Sequence, residues 1–326
     1  MFDLDVIVAA DRMQKYIEAH INEPITLKQL SEAAGYSPWH STRIFKELLG
    51  KTPFDYIRSF RLSKAALVLR DEKHPIIDVA LDFVFNSHEG FTRAFSREFG
   101  LPPRQYRREA PPIQLFLPHS ILSYYRFLNQ GDSSVKNFHT ANLCWCRDTR
   151  ASAAWRINMD EKKETKMIFT QVVERPERKL LLKRGIKATE YFEYCREVGC
   201  DIWAFLSSVK EALYEPIGMW LPKHLIKSGT SLYVQGVEIP LDYQKSVPEG
   251  YEIIQLPPCK MMVFQGQPYE DDNFMSEVSE VMEAIDRYDP TLYGFAWAPE
   301  EAPRFQLAPM GYRGYIEARP VKPLLQ

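Results

Sequence analysis

The stretch Thr26-Leu27-Lys28-Gln29-Leu30-Ser31-Glu32-Ala33-Ala34-Gly35-Tyr36-Ser37-Pro38-Trp39-His40-Ser41-Thr42-Arg43-Ile44-Phe45-Lys46 decides the fold of the first third of the chain. Thr26 followed three positions later by Gln29 is a capping-box signature, and Leu27, Leu30 and Ala34 recur at helical spacing. Gly35 supplies the residue type that ends a helix in the left-handed region. Ser37-Pro38 then puts a hydroxyl at an N-cap and a proline at the first helical position, so a second helix starts at once. Two short helices joined by a tight turn predict a helix-turn-helix.

Working outward, Leu4, Ile7, Val8, Met13, Tyr16 and Ile17 mark an earlier helix that stops at Asn22-Glu23-Pro24. Thr52-Pro53 repeats the hydroxyl–proline start and opens a long helical stretch to Arg70. Leu30, Ala34, Tyr36, Arg43 and Phe45 are then echoed by Val79, Phe83, Phe85, Arg93 and Phe95, with one extra residue in the second turn. A duplicated helix-turn-helix joined by a rigid helix is the expectation. Gly35 has Val84 as its counterpart, a β-branched residue that resists positive φ, so the second unit is expected to turn differently or to bind more weakly.

The chain has 326 residues, a formal net charge of -2, and 45% hydrophobic and 26% charged residues. That composition excludes disordered, collagenous and coiled-coil classes and has room for about two domains. No apolar run approaches the roughly 20 residues that cross a bilayer, and Asp3 and Asp5 stand where a secretory signal needs positive charge, so a cytoplasmic protein with no membrane partner is expected. Cys144, Cys146, Cys195, Cys200 and Cys259 read as bystander thiols of a reducing compartment, with neither a metal nor a cofactor site.

Charge is distributed unevenly. From Ser37 to Arg70 seven basic residues face two acidic ones, and from Asn86 to Arg108 five face two. The helical segment can therefore present basic faces to phosphates despite its near balance. It resembles the AraC/XylS family of bacterial transcription regulators over residues 3 to 108. The string that carries the resemblance is Ala34-Gly35-Tyr36-Ser37-Pro38-Trp39-His40, Arg43-Ile44-Phe45-Lys46, Tyr56-Ile57-Arg58, Arg61-Leu62, Pro75-Ile76, Ala80 and Phe91-Thr92-Arg93-Ala94-Phe95, ending in Pro102-Pro103-Arg104-Gln105-Tyr106-Arg107. The resemblance implies that the third and sixth helices enter successive major grooves of double-stranded DNA. Carried over residue by residue, Trp39, His40, Thr42 and Arg43 on the first reading helix and His88, Glu89, Thr92 and Arg93 on the second face the bases. Lys46, Arg58, Arg61 and Arg97 suit phosphates, which position without specifying. Glu89 needs a cytosine amino group to offset its repulsion from the backbone.

Pro111-Pro112 ends the helical domain, assigned to 1–110, and residues 111–165 read as a connector. Residues 166–326 read as an aromatic-rich α+β domain. Met167 to Glu174 and Lys179 to Arg184 are expected to pair as a hairpin across Arg175-Pro176-Glu177, followed by a helix from Thr189 to Leu213 and a strand from Ser231 to Ile239. Strands at 251–256 and 260–265, a helix over 271–287 and strands at 305–307 and 312–320 repeat that order. The fold class is thus multidomain: an all-α double helix-turn-helix domain followed by an α+β pseudo-duplicated domain with two helices on one face. Glu238 and Glu317, each between apolar residues near a strand end, are matched as counterparts. Trp203, Trp220, Tyr233, Phe264, Tyr293, Trp297 and Tyr315 crowd the segments that would line a concave face, and an aromatic cavity with one buried carboxylate suits a cationic or amphipathic ligand.

Residues 166 to 322 resemble the GyrI-like (SHS2-type) small-molecule-binding domain through Val173-Glu174-Arg175-Pro176, Tyr233-Val234-Gln235-Gly236-Val237-Glu238, Val247-Pro248-Glu249-Gly250-Tyr251, Phe264-Gln265-Gly266 and the terminal Glu317 strand. The resemblance implies that Glu317 contacts ligand. The expected function is a ligand-responsive DNA-binding regulator, with a small-molecule effector and RNA polymerase as partners. The alternative is a small-molecule hydrolase using Glu317 with Tyr315 or Tyr293.

Overall fold

The computed structural model describes residues 4–118, 120–122, 167–199, 201–270 and 273–324. The chain divides into two compact units, residues 1–156 with 208–210, and residues 157–207 with 211–326.

The first unit holds seven helices among its described residues: α1 (Leu4–Ala19), α2 (Leu27–Ala34), α3 (Pro38–Leu49), α4 (Pro53–Asp71), α5 (Ile76–Asp82), α6 (His88–Phe99) and α7 (Pro103–Glu109). The capping box forms as the sequence requires, with Thr26 Oγ1 accepting from the Gln29 amide and Gln29 Oε1 accepting from the Thr26 amide. Ser37 and Thr52 cap α3 and α4 in the same way. α1 covers the first helix-turn-helix, burying Ile7, Ala10, Met13 and Ile17 with Leu30, Ile44, Phe45 and Ile57. The second is cemented by an aromatic series in which Phe91 meets Phe85 and Phe95, and Phe95 meets Phe99 and Tyr106. α4 packs against α3 on one side and α5, α6 and α7 on the other, which is why Tyr56, Ile57, Leu62, Ala65, Ala66 and Leu69 are all buried on it. Its 19 residues give a rod of about 28 Å.

The two turns close alike, against expectation. Tyr36 donates to Ser31 O, and Phe85 donates to Ala80 O, the same long-range bond that closes a helix C-terminus. Gly35 sits at φ 73° and Val84 at φ 63°. Val84 is thus forced into the region its branched Cβ disfavours, because buried Val79, Ala80 and Phe83 fix the chain before it and the Phe85–Phe91 pair and the cap at Ser87 fix it after.

The described start of the expected connector, residues 111–118 and 120–122, packs on the helices. The Phe116 amide donates to Ser63 Oγ at 2.7 Å, its ring meets Tyr56 at 4.8 Å, and the Ile121 amide donates to Gln14 Oε1 at 3.0 Å. The remainder of the expected connector, with Cys144 and Cys146, lies outside the described residues.

Among its described residues the second unit forms a nine-stranded antiparallel sheet: β1 (Phe169–Arg175), β2 (Arg178–Arg184), β3 (Ile217–Trp220), β4 (Tyr233–Ile239), β5 (Tyr251–Leu256), β6 (Cys259–Gln265), β7 (Phe295–Trp297), β8 (Arg304–Leu307) and β9 (Ile316–Pro323). The order is β1-β6-β9-β8-β3-β4-β2-β5, with β7 on β9. The expected hairpin between β1 and β2 does not form. β1 pairs with β6 and β2 with β5, in one unbroken register: Phe169 opposes Gln265, Arg175 opposes Cys259, Arg178 opposes Leu256 and Lys183 opposes Tyr251. The joints Pro176-Glu177 and Pro257-Pro258 contain no residue suited to positive φ, so each bends its strand without reversing it. Two kinked strands therefore make a single long ribbon, from which β2 leads to β4 and β3 while β6 leads to β9 and β8.

The inner face of this sheet packs on itself: Leu180, Leu182, Ile217, Met219, Val234, Leu256, Met261, Phe305 and Ala318 form one cluster. The outer face carries the helices. α8 (Tyr191–Val198) sets Tyr194 against Tyr233, and α10 (Phe274–Asp286) sets Val281 and Ile285 against Phe264 and Tyr315. The single helix expected from Thr189 to Leu213 is instead α8 and a short α9 (Ile202–Leu206), parted at Gly199 with φ 91°.

Arg178 is 2% exposed and holds the kink. Its Nε donates to Glu238 Oε1 at 2.8 Å, and its NH1 donates to Pro176 O and Pro257 O at 3.1 Å each. Glu238 is fully buried and also pairs with Arg175.

Two stability measurements follow from this geometry. Val84→Gly relieves the strained φ and is expected to raise stability by up to about 1 kcal/mol, whereas Gly35→Val costs about 1 to 2 kcal/mol; thermal unfolding of the two variants shifting the same way contradicts the strain. Glu238→Leu leaves two desolvated guanidinium groups and is expected to cost about 3 to 5 kcal/mol. Adding Arg178→Met removes one of the two unpaired charges but strands Pro176 O and Pro257 O, so the double variant should lose less than the sum of the two single losses, and a double-mutant cycle showing simple additivity rules out the coupling.

Candidate nucleic-acid interface and aromatic site

α3 and α6 each bury one face, and the pairs Ser41 and Phe91, and Phe45 and Phe95, occupy the same places on the two helices. On α3, Ser41, Ile44, Phe45 and Leu48 are buried; on α6, Phe91 and Phe95 are. That leaves Trp39, 70% exposed, with Arg43 and Lys46 in solvent on α3, and His88, Glu89, Arg93 and Arg97 in solvent on α6, where Glu89 and Arg93 stand in the places of Trp39 and Arg43. His40, Thr42 and Thr92 are half-buried. Thr42 Oγ1 donates back to Pro38 O at 2.9 Å, so its methyl rather than its hydroxyl is free for an apolar contact. Arg43 lies over the Trp39 ring at 5.6 Å and pairs with Glu47 at 3.0 Å, which pre-orients the guanidinium along the exposed face. Arg58 is exposed on α4, with Asp55 at 3.6 Å.

Arg61 departs from expectation. Its Nε donates to Ile21 O at 2.8 Å and its NH2 to Glu23 O, so it satisfies the carbonyls that follow α1 instead of facing phosphate. Burial lowers its pKa below the ordinary arginine value. The sequence could not distinguish Arg61 from Arg58, because their difference lies in a chain end folded against α4.

The outer face of the sheet gathers most of the aromatic site at β3, β8 and β9. Trp220 is directly opposed by Tyr233 on β4 and by Arg304 on β8. Its ring meets Tyr233 at 4.9 Å, and the Arg304 guanidinium lies 4.1 Å from its centroid. Glu317 is fully buried: Oε2 accepts from Arg304 NH2 at 2.7 Å and Tyr315 Oη at 2.9 Å, and Oε1 accepts from Arg319 Nε at 2.7 Å. Arg319 continues to Asp286 on α10 and to the Trp297 ring at 5.9 Å. Burial opposes the charge on Arg319, but Glu317 and Asp286 outweigh it and raise its pKa. Phe264 stands opposite Glu317 on β6 and 6.3 Å from Trp297.

Gln306 links two tyrosines, donating from Nε2 to Tyr233 Oη at 3.2 Å and facing Tyr315 Oη with Oε1 at 3.0 Å, so the one Tyr315 proton is shared between Gln306 and Glu317. Burial raises the pKa of both phenols, and the neighbouring Glu317 carboxylate raises that of Tyr315 further. Gly218 opposes Gln306, and a Cβ there would fall 1.8 Å from Tyr233 Oη, so only glycine lets that hydroxyl lie across β3.

Three expectations are corrected. The expected aromatic cavity with one buried carboxylate holds two cations as well, since Arg304 and Arg319 both pair with Glu317. Tyr293 is 65% exposed and stacks on Tyr288, and no interaction joins it or Trp203 to Glu317 among the described residues. The match of Glu238 to Glu317 also fails. By register, Lys179–Ile239 corresponds to Lys260–Val321, which aligns Tyr233 with Tyr315 and Gln235 with Glu317, and puts Glu238 on the opposite, inner face. Arg304, Gln306 and Arg319 were missed; the alternation of Arg304 with Gln306 is the signal that could have found the first two.

Residues 30–109 match a protein family described as a helix-turn-helix domain. The transcriptional regulator Rob of Salmonella typhimurium strain LT2 is 41% identical over 108 residues, 31% of this chain and 37% of Rob. Regulatory protein SoxS of Escherichia coli K12 is 38% identical over 92 residues, 28% of this chain and 86% of SoxS. The chain belongs to the AraC family. A transcriptional regulator structure from Chromobacterium violaceum with an AraC-type DNA-binding domain is 27% identical, covering 31% of this chain and 90% of that one at a TM-score of 0.30. The chain thus spans little more than a third of Rob's length. In this AraC-family protein the exposed cations of α3 and α6 are available for contact, whereas Arg61 is committed to the fold. Arg61→Ala is therefore expected to lower the unfolding temperature of the helical unit while leaving the salt slope of any DNA binding intact; a slope reduced by about one unit returns Arg61 to phosphate.

Proposed function

We propose that the chain is a bacterial ligand-responsive transcription regulator, working in the cytoplasm, whose residues 1–110 read double-stranded DNA and whose residues 166–326 take up a small effector. The observation that carries the DNA half is the exposure of Trp39, Arg43 and Lys46 on α3 and of His88, Glu89, Arg93 and Arg97 on α6, with Arg43 and Arg93 in the same place on the two helices, in an AraC-family chain. Arg43 and Arg93 suit guanine O6 and N7, Glu89 a cytosine amino group, and Trp39 and the Thr42 methyl a thymine methyl. Lys46, Arg58 and Arg97 suit phosphates.

The effector half is proposed to be GyrI-like and pseudo-duplicated. The reading is supported by the matching pairing of β2, β4 and β3 with β6, β9 and β8, and by the equivalence of Tyr233 and Tyr315. The aromatic rings around Trp220, with Glu317 and its arginines, form the binding face. Effector binding alters occupancy of an operator, or engagement of RNA polymerase, only insofar as the effector binds one state of the regulator more tightly than another. A hydrolase reading has no support in this geometry: both oxygens of the buried Glu317 carboxylate already accept from guanidinium groups and a phenol.

With a selected operator fragment, Arg43→Ala is expected to weaken specific binding by about 1 to 3 kcal/mol and to relax preference at one base pair. Lys46→Ala should weaken specific and random duplexes alike and flatten the salt dependence by about one unit. Equal loss on both duplexes for Arg43→Ala removes it from base reading.

A further inference from the structure

We propose that Arg304 is a resident occupant of the effector site, a guanidinium that the protein places where a flat organic cation would otherwise sit. The inference rests on the reading of this face as the effector site. A cation bound there would stack on Trp220 and take hydrogen bonds to Glu317, and Arg304 already does both, at 4.1 Å from the ring centroid and 2.7 Å from Oε2. Its position follows from the fold, because β8 sets Arg304 directly across from Trp220.

The two arginines on Glu317 are not equivalent. Arg319 is anchored a second time by Asp286, and its side chain is 18% exposed. Arg304 has no other carboxylate partner among the described residues, and its side chain is 27% exposed. Arg304 is therefore the one that can swing out to solvent while Arg319 and Tyr315 keep Glu317 satisfied. An incoming cation exchanges with the Arg304 head group, charge for charge, so the site stays electrically balanced. Its affinity is reduced by whatever Arg304 gains in place. Arg304 thereby sets the threshold for cationic effectors, and a ligand must carry both a planar face for Trp220 and donors for Glu317 to compete with it.

The test uses the full chain with p-aminobenzamidine, a fluorescent flat amidinium, and its neutral isostere 4-aminobenzamide. Arg304→Gln is expected to bind the amidinium at least tenfold more tightly than the wild type, with no such gain for the amide, and Glu317→Gln added to it should abolish the gain. Methylguanidinium at millimolar concentration should also raise the unfolding temperature of Arg304→Ala but not of the wild type, which reads the vacated seat even if Arg304→Gln folds poorly. Saturable binding to the wild type with no gain in Arg304→Gln, and no rescue of Arg304→Ala, overturns the resident-occupant proposal and leaves the effector reading standing. No binding of either probe to any variant, with no rescue, overturns both.

Discussion

The second unit depends on a buried ion pair at a bend. Prolines 176, 257 and 258 lack the N–H that a ladder needs, so where the two long strands kink, carbonyls are left without donors. Arg178 supplies those donors from within the sheet, and its own charge is cancelled by Glu238, itself out of water. Each group would be costly alone; together they satisfy the bend. Without the bend, β1 and β2 would continue straight and β2 could not reach β4 while β1 holds β6. The unbroken register through the joint is what makes the sheet curl onto its own apolar face and turn the other face to the helices.

The aromatic site is a consequence of that closure. Once β3 and β8 meet, Gly218 and Gln306 come opposite one another, and the equivalent tyrosines of the two halves reach the same glutamine from either side. The halves then diverge at one position. Gln235 is neutral where Glu317 is charged, and only the acidic side recruits arginines. A nearly symmetric scaffold thus acquires one charged end, and the stacked sequence Trp220, Arg304, Glu317, Arg319, Trp297 runs outward from the meeting point.

The helical unit was largely legible because its signals are local. A capping box, two hydroxyl–proline starts and a glycine stop act within a few residues, and each formed where the sequence put it. Val84 marks the limit of such signals: the tertiary aromatic cluster overrode a local preference of order 1 to 2 kcal/mol and imposed the turn anyway. In the sheet, alternation reveals which face a residue occupies but not which strand lies beside it. The hairpin between 167–174 and 179–184 failed for that reason, since its true partners lie about 80 residues further along the chain. Glu238 and Glu317 looked alike because both precede a proline at a strand end, yet a three-residue offset in register puts them on opposite faces.

Arginine has three fates here, and the acceptors decide among them. Arg61 and Arg178 donate to backbone carbonyls and are thereby consumed by the fold. Among the described residues Arg43 has Glu47 and an exposed ring beside it, a pairing that solvent screening keeps weak and that a phosphate or guanine edge can displace. Arg304 lies between these cases: its carboxylate partner is fully buried, which strengthens the pair, but its own side chain reaches solvent along one edge. Sequence composition counts all four as equal positive charges. Their difference is in how much each loses on leaving its acceptor, because a carbonyl at a chain bend is stranded, an exposed carboxylate is rehydrated, and Glu317 still has Arg319 and Tyr315. A group whose departure strands nothing is free to be exchanged, and that is the physical condition for recognition as opposed to structure.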